Sequence, residues 1–299
     1  VAGRNTAAAS GAAVSIDLSQ YLKPGDHIVF GQACGEPSTL VEALIAQGAG
    51  IGNLSAFIAT SFSGTFTPDS ANAFALSSMG AIGALRSMTK LDSLGAGKLS
   101  IIPCHVGQIG AMIEAGIIGC DVAMIQISPA DASGNHSLGL ISDHVLAAAA
   151  KARLVIAEVN DQVPFTFGLS IPASRIDIAI HTSRPPVEVQ PAKIGEDDEA
   201  IARFAAPFIE DGSVLQVGVG AVPDAIMGLL KDRKDLGVHS GMLGDAVVEL
   251  AEAGVLTNAR KEFDQGVSVA GALIGSRRLF DFCDGNPAVA MRAANYTHN

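Results

Sequence analysis

An α/β fold built from two related domains is what the 299-residue sequence predicts, and three observations predict it. Aliphatic runs such as CDVAMIQIS and RLVIAEVN read as strands buried on both faces, the pattern of a parallel sheet. These runs alternate with helical segments and glycine turns, and the 33 glycines with only 5% aromatic residues suit such a chain. A strand–loop–proline–helix unit also occurs twice. Setting Pro37 against Pro223 aligns HIVFGQACGEPSTLVEAL with VLQVGVGAVPDAIMGLL, so that Val29 meets Leu215, Leu40 meets Ile226 and Leu44 meets Leu230.

Taken in order, residues 1 to about 20 read as a flexible leader and a short helix, IDLSQYL. PGDHIVFG is a turn and strand, and GQACGEPSTLVEAL a loop and helix with Pro37 near the helix start. NLSAFIATSFS reads as a strand, and GALRSMTKLDSLGAGKLSIIPCHV as a helix leading to another. GQIGAMIEAGIIG is helical and CDVAMIQIS a strand; PADASGNHSLGLI is a hairpin or functional loop. SDHVLAAAAKA is a helix capped by Ser142 or Asp143, then RLVIAEVN is a strand. NDQVPFTFGLSIPASRI is irregular, and IDIAIHTS reads as a strand. SRPPVEVQPAKIGEDDEA concentrates proline and charge as a linker does, which puts a domain boundary within residues 184 to 198. The domains are taken as 1–190 and 191–299.

After the helix EAIARFAAPFI, the stretch Ser213 to Leu250 organises the second domain. A strand, a glycine turn and a helix with Pro223 near its start are followed by the short strand Leu236 to His239, another tight turn and another helix. Such turns bring backbone N–H groups and helix N-termini to one sheet edge, where open α/β folds bind ligands. AEAGVLTNARKEFDQGVSVAGALIGSRRLFDFC then adds a loop, a strand and a helix.

Composition narrows the classes. At 48% hydrophobic and 16% charged, the chain is that of a packed globular protein. A net charge of −11 argues against nucleic-acid binding, which needs clustered cations, and is compatible with one anionic ligand in a local N–H-lined pocket. Cys34, Cys104, Cys120 and Cys283 form no CxxC pair, and the histidines show no HxH or HExxH spacing, so reduced thiols and no metal are expected. The leader lacks the apolar core of a signal peptide and no apolar run reaches a membrane span, so a soluble cytoplasmic protein is expected.

LQVGVGAVPDAI and DLGVHSGMLGDAVVELAEAG, with FGQACGEPSTLVEAL, AMIQISPADASGNHSLGLISDHVLAAAAKARLVIAEVNDQVPFTFG and ALIGSRRLFDF, resemble the acetyl-CoA hydrolase/transferase family of class I CoA-transferases, which includes 4-hydroxybutyrate CoA-transferases. The resemblance implies two facing α/β domains with the site in the cleft between them, coenzyme A as substrate and product, and an acyl-CoA and a small carboxylic acid as partners. It also implies a further C-terminal segment with another CoA-contacting loop. That segment lies outside this sequence; either the sequence is a piece of a longer chain or another chain supplies the segment, and a homo-oligomer or such a partner chain is the expectation. The family pattern at the His239 turn is His-Ser/Thr-Glu-Met, its glutamate attacking acyl-CoA to give an anhydride and then a glutamyl-CoA thioester. Here that position is Gly241.

The candidate site follows. Gln216, Gly218, Val219 and Gly220 are expected to set N–H groups around a thioester carbonyl, worth about 3 kcal/mol each to an oxyanion. They otherwise form an ordinary strand-to-helix turn, and lacking the G-x-G-x-x-G spacing they disfavour NAD. Gly241 leaves a side-chain-sized void for a water, beside His239, which is either structural or a general base. Glu36 either faces the same cleft or is a solvated first-turn glutamate. The resemblance points to Pro103 to His105 and Gln126 to Asp131 for acyl and carboxylate contacts. Asn258, Arg260 and Lys261 are candidates for the CoA phosphates, or an exposed charged loop. A CoA-thioester hydrolase or transferase is the first reading; a non-catalytic acyl-CoA-binding subunit, or a thioester lyase or hydratase using Glu36 or His239 as base, are the alternatives.

Overall fold

The structure is a computed structural model that describes residues 16–89 and 98–298. The leader proper and the middle of the segment read as a helix before Leu99 lie outside them; the described part of the latter is a 3-10 turn, Ala84–Thr89. IDLSQYL forms a single 3-10 turn rather than a helix, Leu18–Gln20, capped by the Asp17 side chain accepting from Ser19 N.

The first part comprises β1 (His27–Phe30), α1 (Ser38–Ile51), β2 (Ser55–Phe57), β3 (Ala75–Ser78), β4 (Leu99–Ile101), α2 (Ile109–Glu114), β5 (Val122–Ile127), β6 (Asn135–Ser137), α3 (Val145–Lys151), β7 (Leu154–Asn160), β8 (Phe167–Gly168), β9 (Ser170–Pro172) and β10 (Ile178–Thr182). Seven of the strands form one sheet in the order β10-β7-β5-β1-β2-β3-β4. Every neighbouring pair is parallel, with Val29 opposite Phe57 on one side and Ala123 on the other.

The unbroken apolar runs have a direct cause in this layering, because both faces of the sheet are covered. All of β5 is buried. Phe30, Met124 and Ile156 point to the face covered by α1 through Leu40 and Leu44. Val29, Ala123 and Ile125 point to the other face, against Ile113 of α2 and Ala148 of α3. Each such fully buried aliphatic side chain contributes about 1.5–3 kcal/mol.

Residues 183–195 carry no helix or strand. Beyond them come α4 (Glu196–Ala205), β11 (Val214–Leu215), α5 (Ala221–Gly228), β12 (Gly237–Val238), β13 (Met242–Leu243), α6 (Asp245–Glu252), β14 (Ser268–Ala270), β15 (Ala272–Leu273), α7 (Arg277–Cys283), β16 (Val289–Met291) and α8 (Ala294–Thr297). Their strands are short parallel pieces: β11 with β12, β13 with β15, and β14 with β16. A bridge between His239 and Val269 connects the first piece to the last. β16 also pairs with β8, a strand from before the linker. The core on the α2/α3 face of the large sheet continues into the second part, reaching Val238, Leu243, Leu273 and Met291. The two halves therefore share apolar packing and one strand pairing. Both copies of the repeated unit are strand–loop–helix, but β11 is only two residues long; Pro37 precedes α1 and Pro223 is the third residue of α5.

Candidate functional site

β12 delivers the chain into the turn His239-Ser240-Gly241, and Ser240 is the residue that holds it. Fully buried, its hydroxyl donates to Val217 O at 2.9 Å and accepts from Val217 N at 3.1 Å. His239 N donates to Leu215 O at 3.0 Å, and Gly241 O accepts from Gly271 N and Ala272 N at 3.1 and 3.0 Å. The two glycine-rich strand ends, Gln216 to Gly220 and His239 to Gly241, thus lie side by side.

Gly241 lines a cavity of about 60 Å³ with Met242, Ala272, Ile274 and His298 from the second half and Gln32, Ala33, Thr60, Val106, Ile141 and Asp143 from the first. Val106 and His298 also line a larger cavity of about 660 Å³, whose walls include Cys104, His105, Gln216 and Asn295. Position 241 therefore faces the opposite half of the chain. Ala33 sits there with φ of +53°, a left-handed conformation that costs a non-glycine residue of order 1 kcal/mol, held by its N–H donating to Thr60 O at 2.8 Å.

The side-chain-sized void expected beside Gly241 is narrowed to this small cavity by the ring of His298. A Cβ on residue 241 would overlap the imidazole of His298. His298 Nδ1 lies 3.2 Å from Ala294 O and 3.0 Å from Thr297 Oγ1. A carbonyl only accepts, so the network assigns the proton to Nδ1.

The remaining candidates divide. Gln216 faces the larger cavity with Cys104 and His105. Val219 and Gly220 turn away from Gly241 into a separate cavity of about 280 Å³, where Asp224, Asp245 and Glu249 make the wall acidic. Gly218 lies between, and nothing but Pro223 Cγ, 4.0 Å off, would meet a Cβ there. His239 has a packing role: Nε2 lies 3.2 Å from Tyr296 O, and the ring stands 5.4 Å from both Phe263 and Tyr296.

Glu36 is neither solvated nor in the cavity with Gly241. It is fully buried and accepts from Ser61 Oγ at 2.7 Å and Ser63 Oγ at 2.6 Å; burial raises its carboxyl above the usual range although both hydroxyls oppose this. Asn258 and Lys261, expected in an exposed loop at the phosphates, are turned inward, at 2% and 3% exposure. Asn258 Oδ1 accepts from Val238 N at 2.9 Å, and Lys261 Nζ donates to Val238 O at 3.0 Å and Val267 O at 2.7 Å. They satisfy the backbone on either side of β12 and so brace the turn. Arg260 pairs at the surface with Asp235 at 3.1 Å. Gln126 is buried, tied to Glu36 O at 3.0 Å and Asn160 Nδ2 at 2.8 Å, while Asp131 Oδ1 accepts from Ser133 N and Asn135 N of its own turn. Burial pushes the thiols of Cys34, Cys120 and Cys283 up to about 12, as apolar fillers behave.

Two residues of the cavity, Asp143 and His298, and Ser142 beside the first, escaped sequence reasoning. Ser142 and Asp143, read as alternative caps of α3, do not cap it: its N-cap is His144, without a side-chain bond. Ser142 Oγ instead donates to Arg292 O at 2.5 Å, and Asp143 Oδ2 accepts from Gln32 Nε2 at 2.6 Å. The signal was present in Ser142-Asp143-His144, three polar residues in a row between apolar segments where one suffices for a cap. His298, 57 residues beyond Gly241, left no local signal.

Among the described residues no group of three or more His, Cys, Asp or Glu is placed to hold a metal, and no helix is long and apolar enough to cross a membrane. The model of the acetyl-CoA hydrolase/transferase N-terminal domain matches residues 15–205. The 4-hydroxybutyrate coenzyme A transferase of Clostridium kluyveri is 37% identical over 275 residues, covering 91% of this chain and 63% of that protein. RipA from Yersinia pestis superposes with a TM-score of 0.88 at 28% identity, covering 93% of this chain and 67% of RipA. A 4-hydroxybutyrate CoA-transferase from Porphyromonas gingivalis gives 0.78 at 29% identity, covering 94% of this chain and 67% of that one. The chain spans just under two thirds of the length of the Clostridium relative. With its family model matched over more than half its residues, and with the same parallel α/β fold as these structures, the chain belongs to the acetyl-CoA hydrolase/transferase family.

Proposed function

We propose that the chain binds an acyl-CoA thioester between its two halves and cleaves it with water, without a glutamyl-CoA intermediate at position 241. The observation that carries this reading is the placement of Gly241 on a cavity lined by both halves, with no side chain to attack an acyl carbon. The larger adjoining cavity, about 660 Å³, offers a path for the pantetheine arm past His105 and Gln216. The two cavities share Val106 and His298 in their walls. Coenzyme A is then the leaving product and a small carboxylic acid the other. Residues 1–190 and 191–299 act as the two walls of the cleft.

Electrostatics supports a neutral or weakly polar acyl end. Apart from Asp143 and His298, the residues around Gly241 have no ionisable side chain. The separate acidic cavity at Val219 and Gly220 is unsuited to phosphates, since three carboxylates line it.

A non-catalytic acyl-CoA-binding role is favoured by the same glycine, because covalent transfer needs the carboxylate it lacks. Calorimetric titration with acetyl-CoA and butyryl-CoA, run beside loss of the thioester absorbance, separates the two. Binding with turnover supports hydrolysis, binding alone supports the silent role, and no binding defeats both. Glu36 is engaged with Ser61 and Ser63 and His239 Nε2 with Tyr296 O, so no specific observation favours a lyase or hydratase that uses either as base.

A further inference from the structure

Asp143 enters the cavity from the turn ahead of α3, and one of its two carboxylate oxygens is accounted for. Oδ2 accepts from Gln32 Nε2 at 2.6 Å. Oδ1 is buried and has no hydrogen-bond partner among the described residues. A carboxylate oxygen left so costs stability, about 1–3 kcal/mol or more, and in a folded protein such a group calls for an explanation.

The surroundings keep it there. Ser142, one residue earlier, is tied to Gly271 O at 3.2 Å and to Arg292 O. Asp143 O accepts from Ala294 N at 3.2 Å, at the start of α8. Oδ1 lies over Gly271, where any Cβ would overlap it. The N–H of Gly271 is given to Gly241 O at 3.1 Å, so Gly271 lies against both Asp143 Oδ1 and Gly241. Gly241 and Asp143 share the walls of the same cavity.

We propose that Asp143 is the water-activating base of this site, its free Oδ1 holding the water that attacks an acyl thioester bound against Gly241. The inference rests on the hydrolytic reading above. In the step, the Asp143 carboxylate takes one proton from water as the water oxygen bonds to the acyl carbon. The tetrahedral oxyanion collapses, the C–S bond breaks, and the leaving thiolate takes the proton back from the Asp143 carboxyl. One thioester and one water give one carboxylic acid and one CoA thiol. Gln32 positions the carboxyl through Oδ2 and leaves Oδ1 for the water.

Burial pushes the Asp143 carboxyl up to about 7, with the Gln32 bond opposing, which suits a base that works near neutrality. The titratable groups around it are His144, whose Nε2 lies 3.1 Å from Phe30 O, and His298 across the cavity; Gln32, Thr60, Met242 and Ala272 bring no charge.

The test measures acetyl-CoA and butyryl-CoA hydrolysis by thioester absorbance, and their binding by calorimetry, in the wild type and Asp143→Asn. The expected result is a loss of turnover of tenfold or more with Kd within threefold of the wild type. The wild-type rate should rise with pH to a plateau, with its midpoint near 7. A loss smaller than tenfold, or a wild-type rate flat from pH 5 to 9, overturns the proposal; the pH profile stands even should the variant misfold. Wild-type protein that binds both thioesters and hydrolyses neither also overturns it while leaving acyl-CoA binding intact. Failure to bind either thioester defeats the underlying reading as well.

Discussion

The imidazole of His298, just past the end of α8, stands where a side chain on Gly241 would begin, so a side chain at residue 241 and this ring are sterically exclusive as they lie. The φ of Gly241 is not in the left-handed region, so what limits this position is space.

A first prediction follows for placing a carboxylate at residue 241. Gly241→Glu alone should displace the ring and lose about 1–3 kcal/mol, the usual range for overpacking. His298→Ala should relieve most of that loss. Urea unfolding of the two single variants and the double variant reads the coupling, expected at 1 kcal/mol or more. Additive losses would mean that the two positions do not compete. In the double variant, a CoA adduct on residue 241 after mixing with acetyl-CoA is the expected chemical outcome.

Asp143 and His144 are adjacent, buried and opposed in their pH linkage. The Asp143 carboxyl is raised from 3.8 to about 7, so the native state holds more protons than the unfolded state between those values and its stability falls as pH rises through them. Burial lowers His144 from 6.5 to about 4, so there the unfolded state holds more protons and stability rises with pH from about 4 to 6.5. The magnitudes are on the order of 4 and 3 kcal/mol respectively. In wild type the two slopes largely cancel. Urea unfolding in pH steps should show wild type losing ground to Asp143→Asn by up to about 4 kcal/mol from pH 4 to 7. A constant difference across that window would contradict the buried, half-partnered carboxyl.

Asn258 and Lys261 are expected to matter for stability. Asn258→Ala leaves the buried Val238 N–H without its acceptor and should cost about 1–3 kcal/mol in denaturant unfolding. Lys261→Met removes the donor from two backbone carbonyls and should cost a similar amount. Acyl-CoA affinity should change less than threefold in both, with no altered salt dependence. A large, salt-sensitive affinity loss at unchanged stability would return these residues to phosphate binding.

Cysteine labelling reads the larger cavity. With Cys34, Cys120 and Cys283 pushed up to about 12 by burial, iodoacetamide at pH 8 should modify Cys104 alone in the native protein. Cys104 is half-buried and lines the cavity with Gln216. Saturating acyl-CoA should slow its labelling several-fold, measured by peptide mass spectrometry. Unchanged labelling would place the ligand elsewhere.

The large sheet was legible because its strands are buried on both faces, and β5 and β7 announce that in unbroken apolar runs. β3 was missed: AFALSS mixes small and polar residues over only four paired positions, too short for a periodic signal. In the second half the strands are two or three residues long, so GVHSGML divides into β12, a turn and β13 in a way no local pattern reveals. The proximity of Gln216 and Gly241 was readable from two similar glycine turns. The partners of Glu36, Asn258 and Lys261 were not, since a polar residue reads alike in a loop whether it faces water or satisfies a buried carbonyl. Asp143 and His298 depend on contacts across the whole chain. Local cap chemistry also competed for the first of them.

The most direct measurement is intact-protein mass spectrometry of the wild type, sampled during turnover of acetyl-CoA while free CoA thiol is followed in parallel. Free thiol accumulating with no mass gain on the protein is the predicted result, since Gly241 offers no carboxylate to acylate. A covalent CoA adduct on any glutamate would contradict it.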